Sequence, residues 1–314
     1  MPHRIRFDRQ ASRIAQVLEV ARTGNIHTAA RALNITQSAL TKSLQAFERQ
    51  LGVQLFDRGP SGTTPTPYGT ALLRHARVIE AEFRAAEQAL EEIRNGEAGV
   101  LRIAAGPVWL SHVLPRVAAR LRRERGGVLL SCAQVRPPDP VAELVDNGFD
   151  VLCSIVDPRL RADPAFEVKP KARFGMCLLM AESHPLAAAG PAGVLARAVL
   201  YPFVFFAQNW TMNGKLANHL TEKGLPQPPV AMRTDSILSI LNMIRETDCI
   251  GFIAAPVANL ADLAGLRTVP LDTVPFRTEV GLMHRKAIAE LGALRRFEAE
   301  VDQVLAELGL SLKG

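Results

Sequence analysis

The chain has 314 residues, 48% of them hydrophobic and 22% charged, with a formal net charge of +6 at pH 7. That length and balance exclude an intrinsically disordered chain and allow two or three domains with well-buried cores. The longest mostly apolar run, AVLYPFVFFA at 198–207, is about half of a membrane span, and MPHRIRFDRQ at the N-terminus lacks the apolar region of an export signal, so a cytoplasmic protein without a membrane partner is expected.

Residues 12–58 are helical in pattern, with short turns around Gly24 and Asn34. Within them, Thr28 to Leu33 read as a short helix and Asn34-Ile35 as a turn. Thr36 is a natural N-cap for a following helix, because its hydroxyl can accept from an otherwise unpaired amide. Leu40, Leu44, Phe47 and Leu51 recur at helical spacing and form one apolar stripe. The opposite side of the first turns carries Thr36, Gln37, Ser38, Thr41, Lys42 and Gln45, and no acid. A helix that only had to be soluble would usually mix Glu with Lys there. Short donors and acceptors near a helix N-terminus suit base edges in a DNA major groove, whereas acids would be repelled by the phosphates.

The charge distribution agrees. Residues 1–79 hold 11 Lys and Arg against 4 Asp and Glu, a net of +7, while the other 235 residues hold 26 against 27, a net of −1. A basic excess confined to one quarter of the chain favours a polyanionic partner for that quarter. Residues 59–67, GPSGTTPTP, are turn-rich and cannot be helix.

Residues 68–94 then read as one long helix. Leu72, Ala76, Ile79, Phe83, Ala86, Leu90 and Ile93 are spaced 4, 3, 4, 3, 4, 3, the heptad seam of a coiled coil, which implies a homodimer. NGEAG at 95–99 is a flexible break. Beyond it strands and helices alternate. VLRIAAG, VLLSCAQV and FDVLCSIV read as strands, with helices at about 111–125 and through PVAELVDNG. FGMCLLMA, YPFVFFA, VAMRT and CIGFIAA continue the strands, with helices at about 213–224 and 236–246. FRTEVGLMH and a helix at about 288–309 close the chain. Two α/β lobes joined by crossing strands fit this order, and ligands of such folds sit at strand C-termini between lobes.

The pattern AA-x-x-L-x-I-T-Q-S-A-L-T-K, followed by LQAFERQLGVQLFDR and TPYG, resembles the LysR-type transcriptional regulators densely over residues 14–69, with weaker echoes in the long helix, HPLA at 184–187 and GFIAAP at 251–256. The resemblance implies an α/β fold with an N-terminal winged helix-turn-helix at 1–67, a linker and dimerisation helix at 68–94, a hinge at 95–99 and a periplasmic-binding-protein-like effector domain at 100–314. Its first lobe would span about 100–170 and 277–314, and its second about 171–276. Gln37, Ser38, Thr41, Lys42 and Gln45 would face the major groove of double-stranded DNA. Arg58 and Thr63 would be contacts of a wing at 57–65. Dimers commonly paired into tetramers, and RNA polymerase as a further partner, belong to the same expectation. Two departures stand out: TPYG replaces the commoner Leu-Thr-Glu-Ala-Gly ending, and Lys42 stands where Arg is usual. Lacking Arg's rigid fork, Lys42 reaches either a base or a phosphate.

The family implies a small effector, an organic or aromatic acid, in the cleft. The residues that could receive it are Gly106, Pro107, Val108 and Trp109 after the first strand, Val135 and Arg136 after the second, Val156 after the third, and Phe205 and Phe206 at the start of a loop in the second lobe. Trp109 either lines the pocket or is a surface hydrophobe. Arg136 is either a carboxylate partner or a solvent-exposed loop arginine. The Ser111 hydroxyl could receive an anion at a helix N-terminus, and capping alone accounts for Asp235 and Ser236. The four cysteines, 132, 153, 177 and 249, have no CxxC spacing and read as small buried hydrophobes. No nucleophile elbow, Walker loop, dinucleotide fingerprint or HExxH occurs, and the seven histidines are scattered, so no enzyme, cofactor or metal is implied. The competing reading is a constitutive architectural DNA-binding protein without an effector.

Overall fold

The computed structural model describes residues 7–59, 62–95, 99–123, 127–135, 144, 148–207, 210–259, 265–271 and 276–312. They fall into two compact units, residues 1–87 and 88–314.

The first unit contains α1 (Phe7–Thr23), α2 (Ile26–Ala32), α3 (Gln37–Leu51), a hairpin of β1 (Phe56–Gly59) and β2 (Gly62–Pro65), and the first part of α4 (Pro67–Asn95). Its core gathers Val17, Val20, Ala29, Ala30, Leu40, Leu44, Phe47, Leu55, Phe56 and Leu73. Helical structure ends at Leu51, short of the expected 58, because Gly52 adopts a left-handed C-cap with φ 73° and the chain turns into β1. The Glu48 carboxylate accepts from the amides of Leu55 (2.8 Å) and Phe56 (3.3 Å), which ties α3 to the start of the hairpin. Thr66 anchors the other end: its hydroxyl donates to the Gln54 carbonyl (2.7 Å) and accepts from the Gly69 amide (3.0 Å). Gly69 sits so close to the chain before the hairpin that an added Cβ would lie 2.0 Å from the Leu55 carbonyl oxygen.

The second unit holds two five-stranded sheets. The strands of the first are β3 (Val100–Ala105), β4 (Leu129–Gln134), β5 (Val151–Ile155), β6 (Phe166–Phe174) and β12 (Thr278–Arg285), in the order β4-β3-β5-β12-β6. The first three are parallel, and β12 runs antiparallel to both β5 and β6. The second sheet holds β7 (Met176–Ala181), β8 (Phe203–Phe206), β9 (Val230–Thr234), β10 (Ile250–Ala254) and β11 (Leu266–Leu271), in the order β11-β7-β10-β8-β9. Its core is built from Phe203, Phe205, Phe252, Phe276, Leu178, Met180 and Leu220 among others.

The helices of this unit are α5 (Leu114–Leu121), α6 (Pro158–Ala162), α7 (Val194–Ala198), α8 (Trp210–Glu222), α9 (Ile237–Glu246) and α10 (Gly292–Glu307). The chain changes sheet twice, between Phe174 and Met176 and between Leu271 and Thr278. The first crossing is therefore at Gly175, because residues 172–174 still pair with β12. The long strand β6 and the strand β11 were not expected from the sequence. The expected helix through PVAELVDNG lies outside the described residues, apart from Leu144 and Gly148. No helix among the described residues is long and apolar enough to cross a membrane.

Candidate functional site

Two surfaces carry the candidate chemistry, one in each unit. In the first, the Asn25 side chain caps α2 by accepting from the amides of His27 (2.8 Å) and Thr28 (3.1 Å), so the helix begins at Ile26, two residues before the expected start at Thr28. Asn34 makes the turn with φ 53°, a left-handed conformation that asparagine tolerates better than most residues. Thr36 then caps α3, its hydroxyl accepting from the Ala39 amide at 3.2 Å. Leu40, Leu44 and Phe47 bury one face of α3, so the other face is held outward. On it Thr36, Gln37, Ser38, Lys42 and Gln45 are exposed, Thr41 is half-buried, and the first turn contains no acid. Leu51, expected in the stripe, is 43% exposed, because the buried stripe ends one turn earlier, at Phe47. A shallow depression beside this helix is formed by Arg31, Asn34, Ile35, Thr36 and Ala39. Arg31 is exposed there and was not among the expected contacts.

The wing departs from expectation at one residue. Thr63 is only 8% exposed, and its amide donates to the Gly24 carbonyl at 2.8 Å, so it fastens the hairpin to the α1–α2 turn. Gly62 lies directly against the same turn with φ 121°, and a Cβ there would come within 2.7 Å of the Gly24 oxygen. Thr64 and Pro65 are the exposed residues of this strand. Arg58 belongs to β1, and its side chain lies outside the description.

Along α4, the expected seam splits in two. Leu72 packs against the core of the first unit and Ala76 is fully buried, so these two are used within the chain. Ile79 is half-buried, while Phe83, Ala86 and Leu90 are exposed, Leu90 by 67%. The Ile93 side chain lies outside the description.

The second surface is a cleft between the two sheets, a cavity of about 330 Å³. Parallel β3, β4 and β5 end on one side of it, at Gly106, Val135 and Val156; β8 and β10 end on the other, at Phe206 and Ala254. Gly106, Pro107, Val108, Trp109, Val135, Val156 and Phe206 all line it as expected from strand ends. Trp109 is 2% exposed and lines the cleft. Phe205 does not line it. Successive strand residues point to opposite faces, and Phe205 packs beneath the sheet against Phe203, with ring centroids 5.5 Å apart. Arg136 lies outside the described residues.

The helix after β3 begins earlier than expected. It opens at Pro107, runs through a wide π turn at Trp109–Val113 and continues as α5. Ser111 is therefore a turn inside, and its hydroxyl donates to the Pro107 carbonyl at 2.8 Å instead of facing a ligand. Lining residues that the sequence did not single out include Ser154, Asp157, Arg159, Phe174, Met176, Thr211, Met212, Val257, Thr278 and Val280. Asp157 follows β5 directly in IVDP and could have been found from that position. The residues at the crossings, Phe174, Met176, Thr278 and Val280, carry no local signal. Asp157 caps α6 by accepting from the Arg159 amide at 2.8 Å, and it also accepts from the Arg159 guanidinium Nε (3.0 Å) and Nη2 (2.7 Å). The guanidinium holds the Asp157 carboxyl below its ordinary range against the opposing effect of burial.

With this geometry in view, the comparisons are consistent across the chain. Residues 12–70 match the family model described as bacterial regulatory helix-turn-helix protein, lysR family, and residues 94–306 match that of the LysR substrate binding domain. A Pseudomonas sp. (strain ATCC 19151) protein named SDS degradation transcriptional activation protein is 28% identical over 273 residues, covering 87% of this chain and 81% of that protein. The HTH-type transcriptional regulator PcaQ of Agrobacterium fabrum is 25% identical, covering 85% of this chain and 86% of its own. Among solved structures, full-length CbnR complexed with its target DNA covers 94% of this chain and 99% of its own at a TM-score of 0.61 and 20% identity. A full-length OxyR variant from Pseudomonas aeruginosa covers 94% of each chain at a TM-score of 0.65 and 14% identity. At those identities the likeness is one of fold.

Proposed function

The chain belongs to the LysR family of transcriptional regulators, and from that premise we propose that it reads an inverted-repeat promoter site as a dimer or tetramer and answers to a small organic or aromatic acid bound between its two lobes. The observation that carries the DNA reading is the outward face of α3. It is capped by Thr36, held on Leu40, Leu44 and Phe47, free of acid in its first turn, and rich in short donors and acceptors. Gln37, Ser38, Thr41, Lys42 and Gln45 serve base edges or adjacent phosphates, and the wing around Arg58 and Thr64 follows the backbone. The exposed apolar row from Phe83 to Leu90 supports pairing of α4 helices from two copies. The apolar cleft at the ends of five strands supports an effector site. The protein acts in the cytoplasm in this reading, with RNA polymerase as its further partner at the promoter.

The test is selection of duplexes from a randomised pool by the full chain, followed by titration of the winner and a scrambled duplex at physiological salt. A repeat with two half-sites, bound about a thousandfold or more tighter than the scrambled duplex, is expected. Equal affinity for both would overturn sequence reading and favour the constitutive architectural role.

A further inference from the structure

The cations on α1, α2 and α3 fall into two groups, and the division assigns roles to residues that the sequence did not single out; this rests on the reading that the outward face of α3 meets DNA. Arg13 lies over the Phe47 ring, 5.5 Å from its centroid, and donates to the Gln50 side chain, while Arg22 is held by the Glu19 carboxylate. Both are committed within the fold. Arg31, Lys42 and Arg49 are exposed, and among the described residues none of the three makes a side-chain hydrogen bond or ion pair. Glu48, next to Arg49 in the chain, turns its carboxylate to the amides of Leu55 and Phe56 instead.

The three free cations are also in line. Ser38, Lys42, Gln45 and Arg49 are spaced 4, 3, 4 along α3, so they form one row, all exposed and opposite the buried Leu40, Leu44 and Phe47. Arg49 closes that row in the last turn of the helix. Beyond the other end, Arg31 in the last turn of α2 shares the rim of a depression with Asn34, Thr36 and Ala39 at the start of α3. From Ser38 to Arg49 a helix rises about 16 Å, and a major groove is about 12 Å wide. A helix whose first turns meet the bases therefore brings its two ends to the walls of the groove, where the phosphates lie.

We propose that Arg31 and Arg49 clamp backbone phosphates on the two walls of the major groove and so set the depth and register of α3, and that Lys42, between them on the same row, reads a base edge. A guanidinium fork suits phosphate oxygens, and contacts of that kind position a protein on the duplex without carrying sequence information. With the phosphates taken at both ends, the choice open to Lys42 between a phosphate and a base falls to the base.

The experiment measures binding of full-length variants, across a salt series, to the duplex selected from the randomised pool and to its single-base-pair variants. Arg31→Gln and Arg49→Gln are each expected to weaken all of these duplexes by the same factor, about fivefold near 0.15 M salt, and to lower the slope of log affinity against log salt by about 0.9. Arg31→Lys and Arg49→Lys should restore the slope, since a phosphate accepts either cation. Lys42→Gln should instead flatten the preference at one base pair by about tenfold. Arg22→Gln removes the same charge from a residue engaged with Glu19 and should leave the slope in place. An equal loss of slope in Arg22→Gln would trace the effect to the general field of the unit and overturn the clamp. Altered base preference in either arginine variant, with the slope kept, would overturn the phosphate assignment. If the arginine variants bind as the parent does while Lys42→Gln still loses preference, the clamp fails and α3 remains the reading helix; if all three bind as the parent does, α3 is not that helix.

Discussion

At the scale of single residues, the second unit contains a buried polar cluster that the sequence does not announce. His284 is completely buried, with Nε2 3.2 Å from a Glu298 carboxylate oxygen, and the Lys169 ammonium donates to the same carboxylate at 2.8 and 3.0 Å. Burial by itself would raise the Glu298 carboxyl; His284 and Lys169 outweigh it and hold the group below its ordinary value. A carboxyl depressed in the folded state stabilises the fold above its unfolded value, near 4.5, and loses that contribution as pH falls through the lower folded value. Glu298→Gln is therefore expected to lower stability at pH 7 by about 1–3 kcal/mol. It should also flatten the stability profile below about pH 4.5, which denaturant melts across pH 3–7 would read.

The cysteines divide in a comparable way. Cys153, Cys177 and Cys249 are buried; burial raises the first two thiols, Cys177 to about 12, and raises the Cys132 thiol as well. Cys132 is exposed, contrary to the expectation of four buried thiols, because it lies on an edge strand. One iodoacetamide adduct per native chain, mapped by mass spectrometry to Cys132, is the expected result. Residue roles set by neighbours in sequence were legible: the Thr36 cap follows from its place before an apolar-periodic run. Roles set by strand phase were not, since Phe205 and Phe206 look alike until pairing fixes which one faces the cleft.

At the scale of elements, the heptad seam of α4 was legible as a periodicity, but its division between two uses was not. Nothing in the spacing tells that Leu72 and Ala76 are absorbed within their own chain. Leu90, 67% exposed, belongs to the outer portion. Leu90→Asp is expected to shift the protein toward a smaller species in sedimentation velocity, with the melting of the α/β unit unmoved. The hairpin depends on a different contact. Gly69→Ala would place a Cβ 2.0 Å from the Leu55 carbonyl. Forced apart, the start of α4 and the hairpin should cost about 1–3 kcal/mol, seen as earlier loss of DNA binding on warming. The strands that escaped notice share one physical reason. FEVKPKARF and LRTVPL each carry a proline, Pro170 and Pro270, and charged residues, a pattern that argues against a central strand. Both turn out to be sheet edges, where an absent amide donor and charged side chains are tolerated.

At the scale of the whole molecule, the order of domains and the alternation of strands and helices were readable because short turns and period changes are local. The closure of each lobe was not, since it depends on pairings between distant segments. The strand β12 sits between β5 and β6, more than a hundred residues after either begins. A chain ending at residue 277, which keeps the core residue Phe276 but lacks β12, should therefore yield, under limited proteolysis, a resistant fragment of about residues 176–277 and rapid loss of residues 100–174.

The same placement of β12 sets a timetable on the ribosome. The second sheet has all five strands once residue 271 has been made, whereas β5 and β6 wait for residues 278–285. Until then each lacks the neighbour that β12 supplies, and an unpaired strand edge invites pairing with other nascent chains. The lobe that enters the world first is thus the last to be finished. Ribosome pausing, chaperone capture and nonsense codons between residues 277 and 285 would all act on that lobe, long after the DNA-reading head has emerged complete.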